Sequence, residues 1–431
     1  MKYFVEIATL FLVIALSITG CAQREEPVRP SIIVIIIDTL RADHLGCYGY
    51  ERDTSPSIDS LASTGMLFLD NMGQSPWTLP AVTTILTGLT PQAHRAGQIG
   101  DMILGLDPCI ESLAAIMSSR GYPTFGYFTV SWLSASFGFD RGYDFFLCHE
   151  DKSGHADETV DSFIRWSRSI QQDQPFFATL HFFEPHQPYE PAAPYRDAFP
   201  VVTDSIFEGT VTWLEDEDGG ILYPQQRDYL VSMYDAEILH VDTALERLFA
   251  YLRETGRDSS TVILITADHG EEFLDHGGTG HGHTLYQEML HIPLIIAGPG
   301  VPSDSICDML VGQIDIVPTL LFLSGIEVPP YLQGIDLLHA SSVERGLPSG
   351  HPREGTMYCY RLGDLKQCCD LENEFFPLFD LAQDPRELLP LQTDSSLMEE
   401  VNFYLLTPPV GHASVMQQDD AHESLRSLGY I

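Results

Sequence analysis

Two strongly apolar runs in this chain end in acid at the same relative position. Ser31 to Ile37 reads SIIVIII and runs into Asp38, while Thr261 to Thr266 reads TVILIT and delivers Ala267, Asp268 and His269. Runs this rich in Ile and Val, with no polar alternation, are strands buried on both faces, as in a parallel sheet covered by helices. Further strands are predicted at Thr124 to Val130, Phe176 to Phe183 and Pro293 to Ala297. Between them, helical spacing marks Ser57 to Thr64, Pro80 to Leu86, Ile110 to Arg120, Val160 to Gln171, Arg227 to Glu254 and Ile316 to Ser324. Pro80 sits in a first turn, and Gly88, Gly121, Gly256 and Gly325 follow last turns.

This alternation predicts an α/β fold with one large, mostly parallel sheet flanked by helices on both faces. Beyond Pro329 the pattern shifts to short segments with turns, at Met357 to Arg361, Asp364 to Cys368 and Phe375 to Leu381. That reads as a small C-terminal antiparallel subdomain over 331–431, with a helix around Leu397 to Leu406. Residues 31–330 form the expected catalytic domain.

Charge excludes one class of partner. The 61 acidic residues against 22 basic ones give a formal net charge of −39, which disfavours nucleic acid. Residues 1–21 read as an export signal: Lys2, an apolar stretch from Ile7 to Ile18, then Thr19, Gly20 and Cys21. The ending resembles a bacterial lipobox, so a lipidated Cys21 is the expected membrane anchor, 22–30 a short tether, and the bacterial cell envelope the expected location. Export permits disulfides, and Cys359 with Cys368 or Cys369 is the expected pair, against the alternative of buried, inert thiols.

In an open parallel sheet, ligands bind in the crevice beyond the carboxyl ends of the strands. Asp38, Asp268 and His269 can meet there, and oxygen and imidazole ligands gathered in one crevice suit a divalent cation. Thr78, in SPWTLPAVTTILTG just ahead of a helix, is open to two readings. It can be an N-cap, or a hydroxyl nucleophile activated by a nearby cation. His240 and Asp235, on one long helix, are candidates for a second cation, but a solvated helix face is the plainer reading.

Over about residues 31 to 390 the chain resembles a sulfatase-type member of the alkaline phosphatase superfamily. The carrying segments are IIDTLRADHLGCYGY at 36–50, SPWTLPAVTTILTGLTPQAHRAG at 75–97, HFFEPHQPY at 181–189 and YDAEILHVD at 234–242. They continue with TADHGEEFLDHG at 266–277, GHGHTLYQEMLHIPLIIAGPG at 280–300 and FDLAQDPREL at 379–388. The resemblance implies that Asp38, Asp268 and His269 bind one metal ion, with Thr78 as both ligand and nucleophile. It also implies that His186 and His281 contact the sulfuryl or phosphoryl oxygens or the leaving group. The ligand set admits Mn, Zn or Ca.

Several departures bear on the chemistry. Well-known sulfatases oxidise a Cys or Ser in a Cys-x-Pro-x-Arg pattern to formylglycine; here the segment is Thr78, Leu79, Pro80, Ala81 and Val82. A Thr cannot form that aldehyde, because its β-carbon already bears a methyl group. The family's second Asp after the first strand is Thr39 here, where Thr39, Arg41 and Asp43 are either supports of the site or turn formers. The chain also has only three lysines, Lys2, Lys152 and Lys366, none in a matching segment.

The expected activity is hydrolysis of a sulfate or phosphate ester on a small molecule, glycan or lipid. The alternatives are a phosphoryl-group transferase of the lipoteichoic acid synthase type and an inactive binding or scaffold protein. Specificity loops are expected at Asp140 to His155 and Asp197 to Gly220. The oligomeric state is not legible in the sequence.

Overall fold

The computed structural model describes residues 29–99, 102–149, 156–200, 224–340, 345–350, 357–371, 373–408 and 410. The expected export signal at 1–21, Lys152 and most of the Asp197 to Gly220 segment lie outside the described residues.

An eight-stranded sheet forms the centre. In chain order its strands are β1 (Ser31–Ile37), β2 (Met66–Phe68), β3 (Thr124–Phe128), β4 (Phe145–Cys148), β5 (Phe177–Phe182), β6 (Thr261–Ala267), β7 (Leu294–Ala297) and β8 (Ser305–Cys307). Their spatial order is β8-β2-β7-β6-β1-β5-β3-β4. β1 lies parallel to both β5 and β6, with Ile37 level with Phe182 and Ala267. The exception to the parallel pattern is β7, antiparallel to β6 and β2.

Seven helices matter here: α1 (Pro56–Thr64), α2 (Thr78–Thr87), α3 (Leu113–Ser119), α4 (Ala156–Ser167), α5 (Pro224–Glu254), α6 (Ile316–Leu323) and α7 (Ser395–Leu405). Side chains of β1 point alternately to the two faces. Ile33, Ile35 and Ile37 enter a core with α4 and α5; Ile32, Val34 and Ile36 enter another with α2, α3 and α6. All six are buried, each contributing roughly 1.5–3 kcal/mol of apolar transfer energy. This two-sided burial is why the run carries no polar alternation.

Short strands escaped the apolar pattern. β2 and β8 are three residues each, and β4 lies inside the segment expected to be a loop at Asp140 to His155. Helix α3 starts three residues later than its apolar spacing indicated, because Ser112 caps it by accepting from the Ala115 N–H.

The C-terminal antiparallel sheet has the order β9 (Gly346–Gly350), β10 (Met357–Leu362), β11 (Leu365–Asp370) and β12 (Leu378–Asp380). It shares one core with the main body, where Leu347, Cys359 and Phe379 pack with Met72, Met289 and Ile314. The expected disulfide is absent: Cys359, Cys368 and Cys369 are free thiols. Register places Cys359 opposite Cys368 and turns Cys369 toward Tyr358.

Candidate active site

The turns that follow β1 and β6 bring two carboxylates together. Asp38 and Asp268 each follow the last residue of their strand, and both are fully buried. Asp268 Oδ1 accepts from the backbone N–H groups of Thr39, at 3.2 Å, and His269, at 2.8 Å. Thr39 reaches it with φ of 55°, a left-handed conformation that is costly for a β-branched residue. The tip is braced further by Tyr234, whose hydroxyl donates to the Thr39 carbonyl over 2.7 Å.

His269 completes the group. Its Nδ1 lies 2.9 Å from the Gly270 carbonyl, which fixes the proton on Nδ1 and leaves the Nε2 lone pair facing inward. That Nε2 is 3.3 Å from Asp268 Oδ2, 3.6 Å from Asp38 Oδ1 and 3.4 Å from the Thr78 hydroxyl. Thr78 is the first residue of α2, with Trp77 at the N-cap position, and its hydroxyl makes no capping bond. Of the two readings of Thr78, the structure leaves the hydroxyl turned toward the carboxylate cluster.

His181, the next-to-last residue of β5, is a member of the cluster not singled out from the sequence, although it opens the HFFEPHQPY segment. Its Nδ1 is 2.8 Å from Thr129 Oγ1, and its Nε2 points at Asp38 Oδ2 from 3.8 Å. Burial, then the neighbouring His186 and His269, holds its pKa down at about 3, so the ring is neutral. The sequence does contain a hint: His181 is a polar residue inside the apolar strand FATLHF.

These groups fit a divalent cation. Among the described residues, Asp38 Oδ1 and Oδ2, Asp268 Oδ2 and His181 Nε2 are buried without a hydrogen-bond partner. One atom each from Asp38, His181 and Asp268 lie within 4.8 Å of one another. Unpaired buried carboxylates are costly, and a cation shared by these three residues would offset that cost. The charges act in the same sense: burial, followed by repulsion from Asp268 and Glu271, pushes the Asp38 pKa well above the usual carboxylate range.

The other two predicted histidines stand beside this group. The His281 ring centroid is 4.5 Å from that of His269 and 4.8 Å from that of His186. His281 Nδ1 lies 3.1 Å from Glu271 Oε1, so a buried carboxylate orients the ring. Burial raises the Glu271 pKa to about 6, opposed by the nearby histidines and a bond from Tyr189. His186 Nδ1 is 2.5 Å from the Gln187 carbonyl, and burial followed by the charge of His281 lowers its pKa to about 3. Neutral His186 therefore presents Nε2 as an acceptor.

Arg41 is a support. Its guanidinium pairs with Asp43 and Asp275 and donates to the Glu271 carbonyl, tying the β1 turn to the segment after His269. Lys366 is remote from the site, fully buried in the C-terminal sheet 2.8 Å from Glu387. Asp235 is buried rather than solvated: it binds His44, Tyr50 and Arg52, each at 2.7 Å, and has no oxygen to spare for a metal.

Comparisons with known proteins agree with this geometry. A family profile described as Sulfatase matches residues 30–326. Arylsulfatase K of Mus musculus is 23% identical over 89% of this chain and 81% of its own length. An N-acetylglucosamine-6-O-sulfatase of Bacteroides thetaiotaomicron is 23% identical, covering 88% of this chain and 86% of its own. Among solved structures, one described in complex with its substrate D-glucosamine-2-N,6-O-disulfate superposes with a TM-score of 0.74 at 19% identity, covering 93% of this chain and 98% of that one. The phosphonate monoester hydrolase of Agrobacterium radiobacter gives a TM-score of 0.69 at 20% identity, covering 94% and 96%.

Proposed function

The chain belongs to the sulfatase family, and on that premise we propose that it is a metal-dependent hydrolase of sulfate or phosphate esters with Thr78 as its nucleophile. The observation that carries this reading is the Thr78 hydroxyl, buried and uncapped, 3.4 Å from the inward lone pair of His269. Asp38, Asp268, His269 and His181 would hold the ion, with Thr78 at its edge. A bound divalent cation lowers the pKa of a hydroxyl and offsets charge on the transferred group. A Thr in place of the formylglycine precursor makes the attacking atom a side-chain hydroxyl of the encoded chain.

The chain's own residues then divide the work. In the first step Thr78 Oγ1 bonds to the sulfur or phosphorus while the bond to the leaving oxygen breaks. Thr78 Oγ1 loses its proton to solvent as the new bond forms, and His281, entering as the imidazolium with Nδ1 on Glu271, gives the leaving oxygen its Nε2 proton. In the second step water bonds to the transferred group and gives a proton to the now neutral His281, the bond to Thr78 breaks, and Thr78 regains a proton from solvent. His186 accepts a hydrogen bond from water or a substrate hydroxyl through its bare Nε2. Among the described residues no lysine stands around the site, so the histidines also carry the charge stabilisation.

The names of the relatives support sulfated sugars or aryl sulfates as the first substrates to try. Envelope anchoring through Cys21 is a separate part of the proposal, resting on residues 1–21; among the described residues no helix is long and apolar enough to cross a membrane. The test is a panel of aryl sulfate, glucosamine sulfate, phosphate monoester, phosphodiester and phosphonate, with Mn, Zn and Ca in turn, on the parent, Thr78→Ser and Thr78→Ala. Metal-stimulated turnover in the parent and Thr78→Ser, lost in Thr78→Ala, supports the nucleophile; equal rates in Thr78→Ala and parent refute it.

A further inference from the structure

His281 sits on a loop that its own sequence does not stiffen. It lies between Gly280 and Gly282, both left-handed, with φ of 83° and 88°. Glycine enters that region without steric cost, so the chain on either side of His281 supplies little stiffness of its own. The ring nevertheless stands at a defined place, its centroid 4.5 Å from that of His269. Glu271 meets the ring directly, 3.1 Å from Nδ1, but a contact to the ring does not set the backbone that bears it.

The adjacent glutamate does. Glu272 and Phe273 pair antiparallel with Thr279 and Gly280, and the register places Glu272 opposite Gly280, the residue before His281. The Glu272 side chain is buried and turned into the loop. Its Oε1 accepts from the backbone N–H groups of His276, at 2.9 Å, and Gly278, at 2.7 Å, and its Oε2 lies 2.8 Å from His283 Nε2. One carboxylate thus joins the chain on both sides of His281. Burial works against charge on both partners, yet the bond between them raises the His283 pKa and lowers that of Glu272, as in a charge-assisted pair.

Gly278 makes room for this pair. A Cβ at that residue would stand 2.9 Å from Glu272 Oε2 and 2.9 Å from His283 Nε2, the two atoms that form the bond. Gly278 lies outside the left-handed region, so an alanine there acts chiefly on the pair.

We propose that Glu272 and His283 are positioning residues: their bond fixes the loop from His276 to His283 so that the His281 ring stays between Glu271 and His269. The effect on rate rests on the reading of His281 as proton donor, whereas the placement of the ring is measurable without turnover.

The test uses the full chain with Gly278→Ala, which wedges the pair apart, His283→Phe, which keeps a ring and removes the donor, and His283→Gln, which keeps a donor. Ring ¹⁵N signals are recorded on histidine-labelled protein, and that of His281 is assigned by its loss in His281→Gln. It is expected to shift or broaden in Gly278→Ala and His283→Phe and to return toward the parent in His283→Gln. The first two variants are expected to lose about 10–100-fold in kcat on an alkyl ester and no more than about threefold on a nitrophenyl ester, a split that a merely weakened fold does not produce. If Gly278→Ala does not fold, His283→Phe decides. An unmoved His281 signal in a folded variant overturns the proposal whatever the turnover, and so does equal slowing of the two esters. A moved signal in a chain that hydrolyses no ester supports the placement and counts against the proton-donor reading, so the two fail separately.

Discussion

The backbone N–H of Thr39 donates to Oδ1 of Asp268 across 3.2 Å, binding the tip of β1 to the tip of β6 where both strands deliver their acids. The bond depends on the left-handed φ of 55° at Thr39. Proline fixes φ near −65° and has no N–H, so Thr39→Pro loses both. Its expected cost is about 3 kcal/mol or more, read as a shift in urea unfolding. A shift below about 1 kcal/mol would show that the contact carries little weight.

Thr129 touches no other member of the cluster, yet it orients His181 through Nδ1. Replacing it by Val, of similar shape, removes the partner that fixes the tautomer. We expect Mn²⁺ affinity to fall by 10–100-fold in Thr129→Val, the usual effect of losing such support, and further in His181→Ala. Calorimetric titration measures both. Unchanged affinity in His181→Ala would place that ring outside the ion's ligands.

The Glu271 and His281 pair, 3.1 Å apart, predicts a dependence on the leaving group. A poor leaving oxygen needs its proton and a good one does not, so His281→Ala is expected to slow alkyl esters by roughly 10²–10⁴-fold while nitrophenyl esters slow far less. Glu271→Gln should move in the same sense by a smaller factor, since it weakens the hold on His281 without removing the acid. Equal slowing across leaving groups would assign His281 to binding alone.

Asp242 makes stability depend on pH. It accepts from the Ser57 and Ile58 N–H groups at the start of α1, yet burial raises its pKa from 3.8 to about 6. A raised carboxyl favours the protonated folded state, so its contribution is fully present below about pH 4 and is lost as pH rises toward 6. Two pKa units correspond to roughly 3 kcal/mol. Asn cannot ionise, so the stability of Asp242→Asn relative to the parent is expected to rise between pH 4 and 7 in urea titrations. A difference that stays flat across that range contradicts the assignment.

Much of the site was legible in the chain itself. Ile and Val without polar alternation can satisfy their burial only between two helix layers, so β1 and β6 had to be central strands with Asp38 and Asp268 at their ends. The residues around Thr78, His186 and His281 were found because each lies in a segment with a family pattern. His181 and Glu271 lie in such segments too but were not singled out, since a polar residue in an apolar strand and the first glutamate of GEEF look alike whether they are structural or functional. Short strands such as β2 and β8 were hidden for a related reason: three residues are too few to establish a period.

Tertiary structure alone decided which polar atoms are left without partners. Sequence fixes the donors and acceptors a residue carries, but whether a carboxylate spends them on water, backbone or an ion depends on what the fold places around it. Asp235 and Glu237 show the difference from two positions on one helix. The first meets His44, Tyr50 and Arg52 and is fully satisfied, while the second is turned under the His186 turn with one oxygen unpaired. No spacing rule separates them, because the partners come from segments far away in the chain.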